Sequence, residues 1–534
     1  FRLLRERDLE YVDKTALLCE LIDRAGLQVV LLPRPRRFGK TLNLSMLRCF
    51  FERRDEDLSH LFAGLRVWEA GDAGDTYRRH FQQYPVISLT FKDLKYDRFD
   101  LCWQGIQEKI RALYDAHRDV LRSGALSDLE AQRFRMILDG TAGRILYDRA
   151  LGDLSHALHR AHARPVVILI DEYDTPLHQA YLHAYAPQLL EFFRAFFGDG
   201  LKGNPHLFKA VLTGILRVAR ESLFSGLNNL AVFSLLRPEL GACFGFTEPE
   251  VEALLDRAGR RDHMDIVRAW YDGYDFGGNV IYNPWSVLSF LDQRDPTPQP
   301  FWVSTSSNDL LRDILIRRAA RLGPALERLL EGESLEREID EHVVLSELPT
   351  SDDAFWSLLL FSGYLKAERR LRGPDAPPTY RLAIPNREVW TAYRSIFRDW
   401  LRTGLSMRGG SLEALMRALL QGDEVALEAQ LQAVAEGMLS YLDGAGPAPE
   451  QFYHGFVLGL LSALTPEYRV RSNRESGKGR PDVLIWAAEP GKPAAALELK
   501  VARPGKRMLE RALSEGLRQI RDNDYTAELR ALGA

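Results

Sequence analysis

The sequence predicts an α/β protein built on a parallel sheet, continued by a mainly helical stretch and closed by a second, smaller α/β unit. Three observations carry this expectation. The first 240 residues alternate short β-branched apolar runs with helical stretches, the pattern of strands covered by helices on both faces. After about Gly241 helical periodicity takes over. Behind the Pro/Gly-rich stretch "DGAGPAPE" at 443–450, a helix–strand–strand–helix pattern stands apart. At 534 residues the chain exceeds what one hydrophobic core sustains, so several domains are expected.

Composition is that of an ordinary globular protein, 46% hydrophobic and 27% charged. A net charge of −4 exerts no global pull toward nucleic acid, so any such surface must be a local patch. Cys19, Cys49, Cys102 and Cys243 lie far apart without metal-type spacing and are expected to be buried, reduced thiols of a cytoplasmic protein. No apolar run approaches the roughly 20 residues of a membrane span. "PVVILI" and "FWSLLLF" read as core, and no membrane partner is expected. The chain opens with Phe1 rather than Met, so the natural start, with any targeting signal, is expected to have been removed.

The strands are expected at Val29–Leu32, Val86–Phe91, Val166–Ile170, Phe208–Thr213 and Ala231–Leu235. The first leads into "LLPRPRRFGKTLNLSML", which ends a loop in Gly39-Lys40-Thr41 and opens an amphipathic helix. Phosphate binding needs inward backbone N–H groups, a lysine on the β/γ oxygens and a hydroxyl on Mg²⁺. Lys40 and Thr41 suit the last two roles, and Gly39 and Arg37 complete the candidate nucleotide contacts. The common spacing G-x-x-x-x-G-K-[ST] would put glycine at position 34, where this chain has Arg34.

The third strand, "PVVILIDEYDTPL", ends in Asp171 and Glu172. A carboxylate at such a tip can hold Mg²⁺, and a second can polarise the attacking water. The GKT strand and "VVILI" are expected side by side, bringing Lys40 and Asp171 to one phosphate. The next strand, in "FKAVLTGILRVARESLFSGLNNL", ends at Thr213, which could sense the terminal phosphate. Arg217 and Arg220 follow as weaker phosphate candidates.

Downstream, "FTEPEVEALLDRAG" carries a Thr cap with Glu three residues on, a helix-start signal. From Ser346 two helices and a hairpin with the turn "GPDAPP" are compatible with a winged helix. In the last segment, "PDVLIW" and "AAALELKVA" read as two strands of a hairpin. Glu498 and Lys500 alternate with apolar neighbours, and Asp482 can meet Glu498 across the hairpin. Two carboxylates with a lysine suit metal-assisted phosphodiester hydrolysis: the acids hold Mg²⁺ or Mn²⁺, and Lys500 orients water or stabilises the transition state. Glu450 and Glu475 compete for a further, helix-side acid role. Arg469, Arg471, Arg474, Lys478 and Arg480 form a local basic patch beside the acids.

The boxes "YVDKTALLCELI", "RPRRFGKT", "VVILIDEYDTPL", "LTGILRVARESLFSGLNNL", "YNPWSVLSFL" and "LLLFSGYLK" resemble the bacterial AAA-ATPase-like family, whose members commonly carry a C-terminal PD-(D/E)XK nuclease domain. The resemblance covers nearly the whole chain. It implies an additional-strand P-loop sheet with a helical lid and a winged-helix-like segment, and makes Arg34 normal at its position. It also implies that Gly39, Lys40, Thr41, Asp171, Glu172 and Thr213 hold the roles derived above. Gln519 and Tyr525 in "EGLRQIRDNDY" resemble the Q-plus-Y helix of RecB-like nucleases. The implied organisation is an ATPase core at 1–240, a helical lid at 241–345, a winged-helix-like segment at 346–400, a helical linker at 401–449 and a nuclease-like domain at 450–534. The expectation is an ATP- and Mg²⁺- (or Mn²⁺-) dependent enzyme that cuts nucleic acid, DNA foremost, with homo-oligomerisation left open. Its rival is a nucleotide-dependent switch or DNA-binding scaffold that does not cut.

Overall fold

The computed structural model describes the chain apart from residues 70–71, 217–228, 303–321, 323–324, 342–346, 349–350, 371–378, 407–410, 442–467, 473–482, 488, 490, 499, 501–505, 525–526 and 532–534. It divides into two compact units, Phe1–Ser306 with Glu336–Asn386, and Ser307–Leu335 with Arg387–Ala534.

The first unit is organised by five strands, β1 (Val29–Pro33), β2 (Val86–Thr90), β3 (Val166–Asp171), β4 (Leu207–Gly214) and β5 (Leu230–Val232). All pair in parallel, in the order β2-β3-β4-β1-β5. β1 and β3 are buried along their whole length, which is why they read as continuous apolar runs rather than alternating ones. Each expected strand is present. The expected adjacency of β1 and β3 is not: β4 lies between them, pairing Leu32 with Thr213 on one side and Ile170 with Leu212 on the other. Two strands with equally apolar sequences compete equally for a central place, so the run itself does not encode order. From β1 the chain crosses toward the β2 edge and from β4 it crosses the other way, past β1 to β5; parallel sheets bind ligands outside the carboxyl ends of neighbouring strands whose connections diverge in this way.

After the sheet, the helix Glu248–Arg257 starts as expected, the Glu250 carboxylate reaching back to accept from the Thr247 N–H. Glu250 also takes the buried Lys14 ammonium at 2.7 and 2.8 Å, tying the helix start to the "YVDKT" box. The hairpin β6 (Tyr274–Phe276) and β7 (Asn279–Ile281) interrupts the stretch expected to be helical. Its two-residue turn, Gly277-Gly278, has φ of +64° and +92°, conformations that glycine adopts without strain. Farther on come β8 (Leu335–Glu338), the buried helix Asp352–Phe361, and the expected hairpin β9 (Lys366–Arg370) with β10 (Thr379–Ala383), in the sheet order β8-β10-β9.

The second unit contains the helices Arg387–Ser406, Leu412–Gln421 and Glu424–Tyr441. Its antiparallel sheet comprises β11 (Tyr468–Ser472), β12 (Val483–Ala487) and β13 (Ala495–Leu497), with β12 central and buried. The helices Lys506–Asp522 and Ala527–Ala531 follow, and Leu529 packs on Leu484 and Trp486.

Candidate functional site

The first site grows from the loop between β1 and the helix Lys40–Phe51. That helix buries Leu44, Met46, Leu47, Phe50 and Phe51, so its N-terminus is set against the ends of the strands. Gly39 precedes it with φ +82°, a left-handed conformation that leaves the following N–H groups free to turn toward an anion. Arg37 holds the same region, φ +68°, and lays its guanidinium over the Trp285 ring at 4.4 Å. The Trp302 indole donates to the Arg36 carbonyl.

Arg34, where a glycine is common, is fully buried. Its Nη1 donates to the carbonyl oxygens of Pro33 and Phe233 at 2.8 and 2.7 Å, and Nη2 reaches that of Leu240 at 3.4 Å. The guanidinium lies between the rings of Phe244 and Phe276, at 5.1 and 5.3 Å. Burial lowers its pKa to about 10, leaving it charged at neutral pH. The side chain therefore points into the core, tying the loop to the segments after β5 and to the β6–β7 hairpin.

Lys40, 5% exposed, donates to the carbonyl oxygens of Arg34 and Pro35 at 2.9 and 2.8 Å. Burial lowers its pKa, and the nearby Glu172, Asp174 and Asp171 carboxylates oppose that shift. At the tip of β3, Asp171 accepts from the Thr41 hydroxyl at 2.7 Å and from the Thr213 hydroxyl at 2.6 Å. Thr41 and Thr213 thus meet on one carboxylate, each on its own oxygen, with Thr213 supplied by β4, the strand between β1 and β3. Glu172, in the left-handed region at φ +50°, accepts from the Thr175 hydroxyl at 3.0 Å. Arg217 and Arg220 lie outside the described residues.

Sequence reasoning passed over Asp174 and His178. Both are buried, and Asp174 binds the backbone beyond β4. The acidic character of "DEYD" was the available signal, but which of its acids turns inward depends on the turn that follows the strand.

The second site lies at the end of β13. Antiparallel pairing sets Val483 opposite Leu497, the residues adjoining Asp482 and Glu498 in sequence. The Glu498 side chain is only 3% exposed; Oε1 accepts from Lys500 at 2.5 Å, while Oε2 is buried without a hydrogen-bond partner among the described residues. Such an orphaned carboxylate oxygen beside a lysine suits a hard divalent cation, which takes oxygen ligands. The helix Lys506–Asp522 approaches at Gly516, where a Cβ would stand 3.5 Å from Lys500 Cγ and 3.8 Å from Glu498 Cγ. Gln519 follows three residues later on this helix. Arg469 and Arg471 lie on β11, opposite Trp486 and Leu484. Glu450, Glu475, Arg474, Lys478, Arg480, Asp482 and Tyr525 lie outside the described residues. Among the described residues no group of three or more His, Cys, Asp or Glu side chains gathers in a metal-holding arrangement.

A five-stranded parallel sheet with GKT after β1 and an acid at the β3 tip defines the class, a P-loop core of the additional-strand type. Comparison with known proteins agrees. Residues 1–224 match the family described as predicted AAA-ATPase, and residues 448–534 match the PD-(D/E)XK nuclease superfamily. The two matches fall on the two parts of the sequence that hold the two candidate sites. It is also similar, at 31% identity over 403 residues, to a protein of Azotobacter chroococcum mcd 1 described as an uncharacterized protein in the vnfD 5′ region. That match covers 73% of this chain and 66% of the relative, so the chain spans just under two thirds of the relative's length.

Proposed function

We propose that this chain binds and hydrolyses ATP in its N-terminal domain and uses its C-terminal domain to cleave phosphodiester bonds of nucleic acid, DNA being the expected substrate. The observation that carries the first half is the Asp171 carboxylate, which takes the hydroxyls of Thr41 and Thr213 within 2.7 Å at the carboxyl ends of adjacent strands. Lys40 is the candidate to meet phosphate oxygens, Gly39 the candidate to open the helix N-terminus to them, and Glu172 the candidate to orient water. The carboxylate of Asp171 and the hydroxyl of Thr41 are hard oxygen donors fit for Mg²⁺, which supplies neutralisation of phosphate charge when bound.

In the C-terminal domain Glu498 offers its unpartnered oxygen to Mg²⁺ or Mn²⁺, with Asp482 as the second acid and Lys500 as the group that steadies developing charge. Gln519 and Tyr525 are assigned to the helix side of this site, with Glu450 as a further ligand and Arg471, Arg474, Lys478 and Arg480 as backbone contacts.

The test is cleavage of supercoiled plasmid and of a labelled single strand with Mg²⁺ or Mn²⁺, with and without ATP. Wild type, Lys40→Ala and Glu498→Ala are compared. Cutting that disappears in Glu498→Ala and changes in Lys40→Ala is expected. Metal-independent binding with no product under any condition would instead favour a switch or scaffold.

A further inference from the structure

The turn after β3 does more than present Asp171. Asp174, 1% exposed, accepts through Oδ2 from the backbone N–H groups of Ile215 and Leu216 at 2.8 and 2.9 Å. Tyr173 donates its N–H to the Thr213 carbonyl at 3.2 Å and its hydroxyl to the Leu216 carbonyl at 2.5 Å. Two consecutive residues therefore grip the exit of β4 at four points, on both sides of Gly214. The fit leaves no room there: a Cβ on Gly214 would lie 2.7 Å from both Asp174 Oδ1 and Tyr173 Cε1.

We propose that Asp174, assisted by Tyr173, is a positioning residue for the phosphate site, fixing the β4 exit so that the Thr213 hydroxyl meets Asp171. The inference rests on the ATP reading above. Thr213 is the residue immediately before Gly214, so any slip of the gripped backbone moves the hydroxyl that reaches Asp171 at 2.6 Å. A neutral amide could accept the same two N–H bonds without burying a charge, and burying a charge is costly. The cost here is visible: among the described residues Asp174 Oδ1 has no hydrogen-bond partner, and neither has His178 Nε2, which lies 3.6 Å from Oδ2. The charge does work that the two bonds alone do not. It strengthens both N–H bonds, since bonds to an ionised acceptor are about twice as strong as neutral ones, and it adds to the negative field around Lys40.

Asp174→Asn keeps an acceptor for Ile215 and Leu216 but removes the charge, and Tyr173→Phe removes only the hydroxyl bond to Leu216. Each is compared with wild type by binding of a fluorescent ATP analogue, by phosphate release from ATP and by thermal midpoint. Asp174→Asn is expected to bind the analogue within about threefold of wild type while turnover falls about tenfold or more; Tyr173→Phe shows the same split, smaller. Gly214→Ala, which forces a methyl into the grip, should lower turnover too and add little on top of Asp174→Asn, because both disturb one contact. Wild-type turnover in Asp174→Asn overturns the proposal. So does a parallel loss of binding, turnover and thermal midpoint in both variants, which marks a purely structural role. A wild type that binds no ATP analogue overturns the ATP reading itself and takes this inference with it.

Discussion

Arg34 shows how far a single side chain can depart from what its motif position suggests. A glycine there would leave the loop unencumbered; the arginine instead donates to three backbone carbonyls and stacks between two aromatic rings. Arg34→Gly, which restores the common spacing, is therefore expected to damage the protein, with a stability loss of about 3 kcal/mol or more from orphaned carbonyls and an empty cavity. Urea unfolding checks this, and a glycine variant that binds nucleotide better at unchanged stability would contradict it. Lys209 is a second buried cation. Its Nζ donates to the carbonyls of Arg24 and Leu27, and burial pushes its pKa down to about 8. An unfolded lysine titrates near 10.4, so between about pH 10 and 8 the unfolded chain takes up a proton that the folded chain refuses. Stability through this group rises as pH climbs from 8 toward 10 and is flat below 8. Lys209→Met should remove that rise, as urea midpoints at two pH values would reveal. Lys40, Thr41 and Asp171 were legible in the sequence because their chemistry is local to a motif. The fate of Arg34 was not, since Phe233, Leu240, Phe244 and Phe276, which enclose it, lie some 200 residues away along the chain.

Among the elements, the strands were legible and their order was not. β1, β3 and β4 differ little in apolar content, and the placement of β4 between the other two follows from packing and connection. The β6–β7 hairpin was legible in principle, since Gly-Gly flanked by "YDF" and "NVIY" is a two-residue hairpin signal. Helical periodicity on either side obscured it. Its two glycines have different burdens. A Cβ on Gly277 would stand 2.2 Å from the carbonyl carbon and oxygen of Arg237, whereas one on Gly278 meets nothing within 4 Å. Gly278→Ala should cost about 1 kcal/mol through its left-handed backbone alone. Gly277→Ala should cost about 3 kcal/mol or more, because main chain must move. Thermal midpoints of the two variants measured together test the difference; equal losses would mean that the hairpin does not bear on the Arg237–Leu240 segment.

For the molecule as a whole, the two candidate sites belong to separate compact units. Their first chemical steps should therefore be separable by mutation. Glu498→Ala is expected to leave ATP turnover within about twofold of wild type, while Lys40→Ala loses it, since each substitution alters a single site. Phosphate-release assays on both variants decide the point, and a large loss in Glu498→Ala would show that the second site feeds back on the first. The boundary between these units is where the sequence was least informative: the Pro/Gly-rich stretch at 443–450 falls within the range of the second unit, and nothing in the sequence says which segments join which core. No helix among the described residues is long and apolar enough to cross a membrane.

The burial of Arg34 has a consequence for time rather than geometry. A loop tethered only at its ends opens by local fluctuation, and its amides exchange with solvent far faster than those of the strands it joins. Here the loop is anchored by a guanidinium that leaves the core only when the surrounding aromatic shell parts. Opening the loop thus requires most of the free energy of opening the domain, and the Arg34 N–H, bonded to the Gly214 carbonyl at 3.0 Å, should exchange as slowly as the amides of β1 and β4. Access for a nucleotide would then be timed by the groups that surround the loop and not by the loop itself.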